Sequence, residues 1–191
     1  MWEISPEQIA EVEILPAASG APEVFFREER CPVSISLSHR AGIACCAAAS
    51  CQVALGCDME KVENRGRDFE QDYFTEEEQQ AIIRIPEERR ALITTLIWSG
   101  KESALKALQV GLRSSTKSVS VSVEGSGSDR ELVAAGGWYP LKVCFRNTLV
   151  FRGGWYCSGE IVRTLIMSPL EMVCRVSDLR SNLQAEVIPV A

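Results

Sequence analysis

Residues 86–109 read PEERRALITTLIWSGKESALKALQ. Pro86 suits the first turn of a helix. Leu92, Leu96, Ser99, Ser103 and Lys106 then recur at helical spacing, and Gly111 closes the stretch. The spacing predicts a helix to about Gln109, the longest in the chain. Just upstream, Thr75 and Glu78 have the Ser/Thr-x-x-Glu form of a capping box, so a shorter helix follows to about Arg84. Strand patterns lie on both sides of this pair. Upstream, 33–38 alternates apolar and polar residues, and 43–49 and 53–59 read as buried strands joined by a turn at 50–52. The charged segment 60–68 contains Gly66 and reads as a loop. Downstream, 117–124 alternates strictly. Further strands are predicted at 132–135, 141–146, 148–152 and 156–165, with a turn at 125–129 and breaks at Gly136-Gly137 and Gly153-Gly154. Residues 1–33 hold Pro6, Pro16, Pro22 and Pro32 and read as irregular. The order of strands, helices and strands predicts an α+β protein of two similar halves, 1–93 and 94–191.

The composition is that of an ordinary globular chain: 191 residues, 46% hydrophobic and 24% charged, which excludes a disordered or collagen-like protein. There are 20 Lys plus Arg against 26 Asp plus Glu, a net charge of −6. A dedicated duplex-DNA or anionic-membrane binder needs excess cations, so neither nucleic acid nor membrane is expected as a partner. Residues 41–57 carry no charge, but these 17 residues are built largely from Ala, Cys, Ser and Gly. A spanning helix needs about 20 predominantly apolar residues, so a buried element or hairpin is expected instead. The first residues show no basic and apolar leader pattern, and a cytoplasmic location is expected. None of the 8 cysteines form a C-x-x-C pair and His39 is the one histidine, which does not suit a zinc site. The five cysteines within 31–57 are read as reduced, buried small hydrophobes.

Four short stretches carry candidate chemistry. Asp58 and Glu60 sit two apart at a strand end, so their carboxylates share a face. Taken alone they read as two solvated acids; with a cation between them they suit Mg²⁺, which prefers hard oxygen ligands. Glu102 and Lys106 lie four apart on the long helix. Alone, this is a helix-stabilising pair worth about 0.3–0.5 kcal/mol; beside a metal it is a third carboxylate and a phosphate-binding cation. Lys101 points away by about 100° and reaches a neighbouring phosphate or only solvent. Ser38, His39 and Arg40 end a strand before Gly42, and a hydroxyl, an imidazole and a guanidinium there can grip a phosphate. Trp98 reads as core.

The combination is far more specific than its parts. In order come Ser36-Leu37-Ser38-His39-Arg40, Gly56-Cys57-Asp58-Met59-Glu60, Phe74-Thr75-Glu76-Glu77-Glu78, and Trp98 through Lys106 followed by Gly111-Leu112. This resembles the 4′-phosphopantetheinyl transferases, in their larger, surfactin-type class. The family signatures are Leu-Ser-His, Gly-(Ile/Val)-Asp-(Ile/Val)-Glu, Phe-(Ser/Thr)-x-x-Glu and Trp-x-x-Lys-Glu-(Ala/Ser)-x-x-Lys. The resemblance implies a pseudo-twofold pair of α+β halves in one chain, working as a monomer. It implies transfer of the phosphopantetheinyl arm of coenzyme A to a serine of an apo acyl or peptidyl carrier protein, releasing 3′,5′-ADP. Asp58, Glu60 and Glu102 would hold Mg²⁺, and Glu102 is also the candidate base. Lys106 would bind the diphosphate and act in catalysis. Ser38 and His39 would bind coenzyme A phosphates, with Arg40 and Lys101 as further candidates.

Two departures stand out. Cys57 and Met59 replace the usual Ile or Val and should point inward. Only Arg27 and Arg30 precede His39 as cations, so the N-terminal half is read as trimmed. For docking an acidic carrier, the arginines near the motifs are the candidates: Arg65 and Arg67 first, then Arg84, Arg89 and Arg90. Two other readings stay open. A metal-dependent nuclease would also use such carboxylates, yet needs cationic tracks. A trimmed, non-catalytic module would bind coenzyme A or a carrier without turnover.

Overall fold

The computed structural model describes residues 5–51, 53–123 and 137–167. It is a mixed α+β structure built on a five-stranded antiparallel sheet. Strands β6 (Leu55–Lys61), β7 (Val119–Val123), β8 (Tyr139–Phe145), β9 (Leu149–Ser158) and β10 (Ile161–Met167) form it, in the order β6-β10-β9-β8-β7. Three helices precede most of these strands: α1 (Arg67–Tyr73), α2 (Glu76–Ile83) and α3 (Glu87–Ala107). Helix α3 packs on the sheet. Leu96, Ile97, Ala104 and Leu105 meet Val119, Val143, Phe151, Val162 and Ile166 in one buried core. The boundary expected between 93 and 94 falls inside α3, and β6, from before it, is hydrogen-bonded to β10, from after it.

Glycines set how closely the layers approach. A Cβ at Gly56 on β6 would overlap the carbonyl oxygen of Ser103 on α3. The side-chain-free backbone there lets strand and helix touch. At Gly100 the valine methyls of Val121 stand 3.1 Å from where a Cβ would be.

Several sequence expectations are corrected. The expected break at Gly153-Gly154 is absent, because both residues lie inside the ten-residue strand β9. A Cβ at Gly153 would overlap the Leu165 carbonyl of β10, so that glycine serves close approach of neighbouring strands rather than a turn. Residues 1–33 are not wholly irregular. A 3-10 turn at Pro6–Glu11 leads into β1 (Val12–Pro16), β2 (Pro22–Phe26) and β3 (Glu29–Arg30), a small antiparallel sheet. Pro16 and Pro22 face each other at its strand ends, where a missing N–H does no harm to the ladder. The expected loop at 60–68 is shorter, since β6 runs to Lys61 and α1 starts at Arg67. Helix α3 stops at Ala107, and Gln109, not Gly111, takes the left-handed turn that ends it, with φ 55°. The Val110 N–H bonds back to Leu105 O at 3.1 Å and the Gln109 N–H to Lys106 O at 2.9 Å, the two bonds of a Schellman motif. The strand expected at 132–135 and the turn at 125–129 lie outside the described residues. No helix among the described residues is long and apolar enough to cross a membrane.

The uncharged run is a hairpin and the strand beside it. Strands β4 (Val33–Arg40) and β5 (Ile43–Ser50) pair through Ala41 and Gly42, whose φ of 52° and 77° suit a tight two-residue turn. This hairpin is a separate two-stranded sheet, with no strand ladder to β6. Serine hydroxyls on β4 make the junction. Ser36 Oγ accepts from the Cys57 N–H at 2.9 Å, and Ser38 Oγ from the Met59 N–H at 3.1 Å.

Candidate active site

Asp58 projects from β6 and is 4% exposed. Its Oδ1 accepts from Lys106 Nζ and from Ser38 Oγ, each at 2.8 Å. Its Oδ2 is buried and accepts from none of the described groups. Across the ladder from Asp58 stands Thr164 of β10. The Thr164 hydroxyl donates to Ser99 O at 3.0 Å and lies 2.9 Å from Ser99 Oγ and 2.7 Å from Ser103 Oγ. These buried hydroxyls pin α3 to β10 one residue away from Glu102.

Glu60 is held from three sides. Its Oε1 accepts from the indole N–H of Trp98 at 3.1 Å, and Arg65 meets its Oε2 at 2.8 Å. Arg40 stands at 3.6 Å from the same oxygen and also pairs with Glu63 at 3.2 Å. The Arg65 guanidinium lies over Phe69 at 4.9 Å and Trp98 at 5.8 Å. Glu102 has its carboxyl pushed up to about 7. Burial is the main cause and the Asp58 charge adds to it, while Lys106 pulls the other way.

The donor set fits a hard divalent cation. Asp58 presents a bare buried oxygen, and Glu102 is a carboxylate that resists ionising until positive charge arrives. As they stand, however, no three His, Cys, Asp or Glu among the described residues gather closely enough to form a metal cage. Each of Asp58 and Glu60 is instead paired with protein cations.

The segment that carries these acids, residues 54–151, matches the family model of the 4′-phosphopantetheinyl transferase superfamily. The chain belongs to this superfamily. No curated protein matches it. The matched segment includes Asp58, Glu60, Glu102 and Lys106 but not Ser38, His39 and Arg40, which the hairpin brings from outside it.

Within this transferase the anticipated residues divide into two groups. Ser38, Arg40, Asp58, Glu60, Glu102 and Lys106 come together. His39 is exposed at the end of β4, and strand alternation turns it to the face opposite Ser38. Lys101 does not join them. It is fully buried, forms an ion pair with Glu78 at 2.8 Å, and donates to the carbonyls of Thr116 and Val119. A lysine so enclosed cannot contact a phosphate, and its role is structural. Glu78 completes the capping box with Thr75 and also accepts from the Val121 N–H at 2.8 Å. Arg65 is not an open docking residue either, because it is 14% exposed and bound to Glu60. Arg67 is exposed at the start of α1. Arg90 donates to the carbonyls of Ile83 and Ile85.

Trp98 is buried as expected, and its hydrogen bond to Glu60 gives it a role in the site beyond the core. Its spacing offered the signal: Trp98, Glu102 and Lys106 are four apart and share one face of α3. The cysteines are less uniformly buried than expected, since Cys46 and Cys51 are exposed. Cys45 on β5 stands beside Cys57 on β6, and its thiol is drawn down, chiefly by the neighbouring Cys57 thiol. Burial opposes that shift, and the charges of Arg163 and Lys106 assist it. A cavity of about 360 Å³ opens next to the site, with Lys106 in its wall and Glu23, Arg30, Ser34, Leu37 and Gln109 around it.

Proposed function

We propose that this chain transfers 4′-phosphopantetheine from coenzyme A to a serine of an apo carrier protein, in the manner of the surfactin-type, two-half enzymes. The observation that carries the reading is Asp58: one oxygen is fixed by Lys106, the other is buried and bare, and Glu102 is crowded beside it. Asp58 and Glu102, with Glu60, would hold Mg²⁺. When bound, that ion neutralises the diphosphate of coenzyme A.

The protein's own groups do the rest. Phosphoryl transfer depends on positioning and charge neutralisation more than on covalent help. The carrier serine oxygen bonds to the phosphorus of the phosphopantetheine, and the bond from that phosphorus to the oxygen of the 5′-phosphate breaks. Lys106 faces the leaving 3′,5′-ADP, where negative charge grows. Glu102, ionised beside the cation, takes the serine proton. The cavity at Lys106 has the size of a ligand pocket and takes part of coenzyme A. Arg67, exposed on α1, is the docking residue for an acidic carrier. The reading also makes the enzyme a cytoplasmic monomer.

The test is intact-mass spectrometry of a panel of apo carriers incubated with the chain, coenzyme A and Mg²⁺, or with EDTA. One phosphopantetheinyl group gained, and lost in EDTA or with Asp58→Asn, is the expected result. Full transfer by Asp58→Asn would overturn the site. The enclosure of Glu60 by Trp98, Arg65 and Arg40 favours a second reading, a binder without turnover. Coenzyme A binding by calorimetry with no mass gain on any carrier selects it.

A further inference from the structure

The hairpin β4–β5 reaches β6 through two serines on one face of β4, and the two do different things. Ser36 Oγ accepts the Cys57 N–H and has no hydrogen bond to an acid among the described residues. Ser38 Oγ accepts the Met59 N–H and donates its hydrogen to Asp58 Oδ1. A serine hydroxyl has one hydrogen to give. With that hydrogen on Asp58, Ser38 has none for a phosphate. Ser38 and Lys106 converge on the same oxygen, and this convergence leaves Oδ2 bare and buried.

We infer that Ser38 is a positioning residue for the cation site: it fixes the Asp58 carboxylate so that Oδ2 faces the ion, and it is not a ligand for coenzyme A phosphate. The inference rests on the reading of Asp58 as a cation ligand. It also explains why a hairpin outside the matched segment 54–151 belongs to the working unit. Among the described residues, the hairpin supplies the neutral side-chain donor that orients this acid.

The matched pair of serines makes the test clean. Ser36→Ala and Ser38→Ala each remove one junction hydroxyl, and both should lower the melting temperature. Only Ser38→Ala should weaken Mn²⁺ binding, measured by calorimetry on the full chain without coenzyme A. Loss of a group that orients a metal ligand costs about 10-fold or more in metal affinity. Coenzyme A affinity in EDTA should be unchanged in Ser38→Ala. Wild-type Mn²⁺ affinity in Ser38→Ala overturns the inference. So does an equal loss in Ser36→Ala, which would mean a merely structural junction. A loss of coenzyme A affinity in EDTA, with Mn²⁺ binding intact, would make Ser38 a phosphate ligand. The Asp58→Asn variant separates the two levels. If wild type and Asp58→Asn bind Mn²⁺ alike, or neither binds it, the cation reading falls and the inference falls with it.

Discussion

Helix α3 carries two lysines five residues apart, each paired with an acid at 2.8 Å, and they behave as opposites. Lys101 is fully buried, and its three hydrogens meet Glu78, the Thr116 carbonyl and the Val119 carbonyl. Lys106 keeps 28% of its side chain in solvent, gives a hydrogen to Asp58 and borders the cavity. The two project about 140° apart around the helix. One face of α3 is therefore welded to α2 and β7, and the other presents the reactive groups over β6. The pairs have the same chemistry, so burial and satisfaction of donors decide which serves the fold. A fully satisfied buried lysine has no hydrogen left for a substrate.

That contrast can be broken at either lysine. Lys101→Met should show the largest effect, because removing one partner of a buried ion pair costs about 3–5 kcal/mol. Urea denaturation should record it. Lys106→Met should lose less stability, since Lys106 gives up the bond to Asp58, which keeps Ser38 as a donor, whereas Lys101 gives up its contacts to Glu78, Thr116 and Val119; carrier modification should stop. The reverse ranking in urea would undo the comparison. Gly56→Ala comes next. Its methyl must displace the Ser103 carbonyl, and overpacking of this kind costs about 1–3 kcal/mol. Because the shift separates β6 from α3, transfer should fall together with the melting temperature; full activity in a destabilised Gly56→Ala would show that this spacing does not matter.

The smallest effect is a pH dependence on the reactive face. The fold raises the Glu102 carboxyl from 4.5 to about 7. A raised carboxyl favours the protonated form in the folded chain. Its contribution to stability is thus complete below about pH 4.5 and is lost as pH rises through about 7. In EDTA, the urea midpoint should decline over that window, and Glu102→Gln should flatten the decline. A cation held by Glu102 must displace its proton, so Mn²⁺ affinity should rise over the same window. An Mn²⁺ affinity indifferent to pH between 5 and 8, the range spanning about 7, would remove Glu102 from the site.

Much of this was written in local sequence. The capping box at Thr75 and Glu78, the long helix and the alternating strand 33–38 each follow from short-range rules and are present, while the strand expected at 117–124 is described over Val119–Val123, after a 3-10 turn at Thr116–Ser118. Spacing gave two same-face pairs, Asp58 with Glu60 on a strand and Glu102 with Lys106 on a helix; grouping the four rested on the family resemblance. What escaped was tertiary. Prolines at 16 and 22 looked like breaks because their cross-strand pairing was invisible, and Gly153-Gly154 looked like a turn because the crowding against β10 was too. Lys101 and Arg65 are cations whose roles depend on acids 23 and 5 residues away, Glu78 and Glu60. Pattern along the chain shows which way a side chain leaves its element, but not what waits for it there.

The serine junction has a further effect, on association between molecules. An unpaired strand edge invites another chain to add to it. Strand β6 lies at the margin of the five-stranded sheet, and the Ser36 and Ser38 hydroxyls occupy the outward N–H groups of Cys57 and Met59. The hairpin thus closes that margin without extending the sheet. A chain whose hairpin came loose would expose a sticky edge at the very strand that bears Asp58, so the lesion that silences the site would also make the protein prone to aggregate.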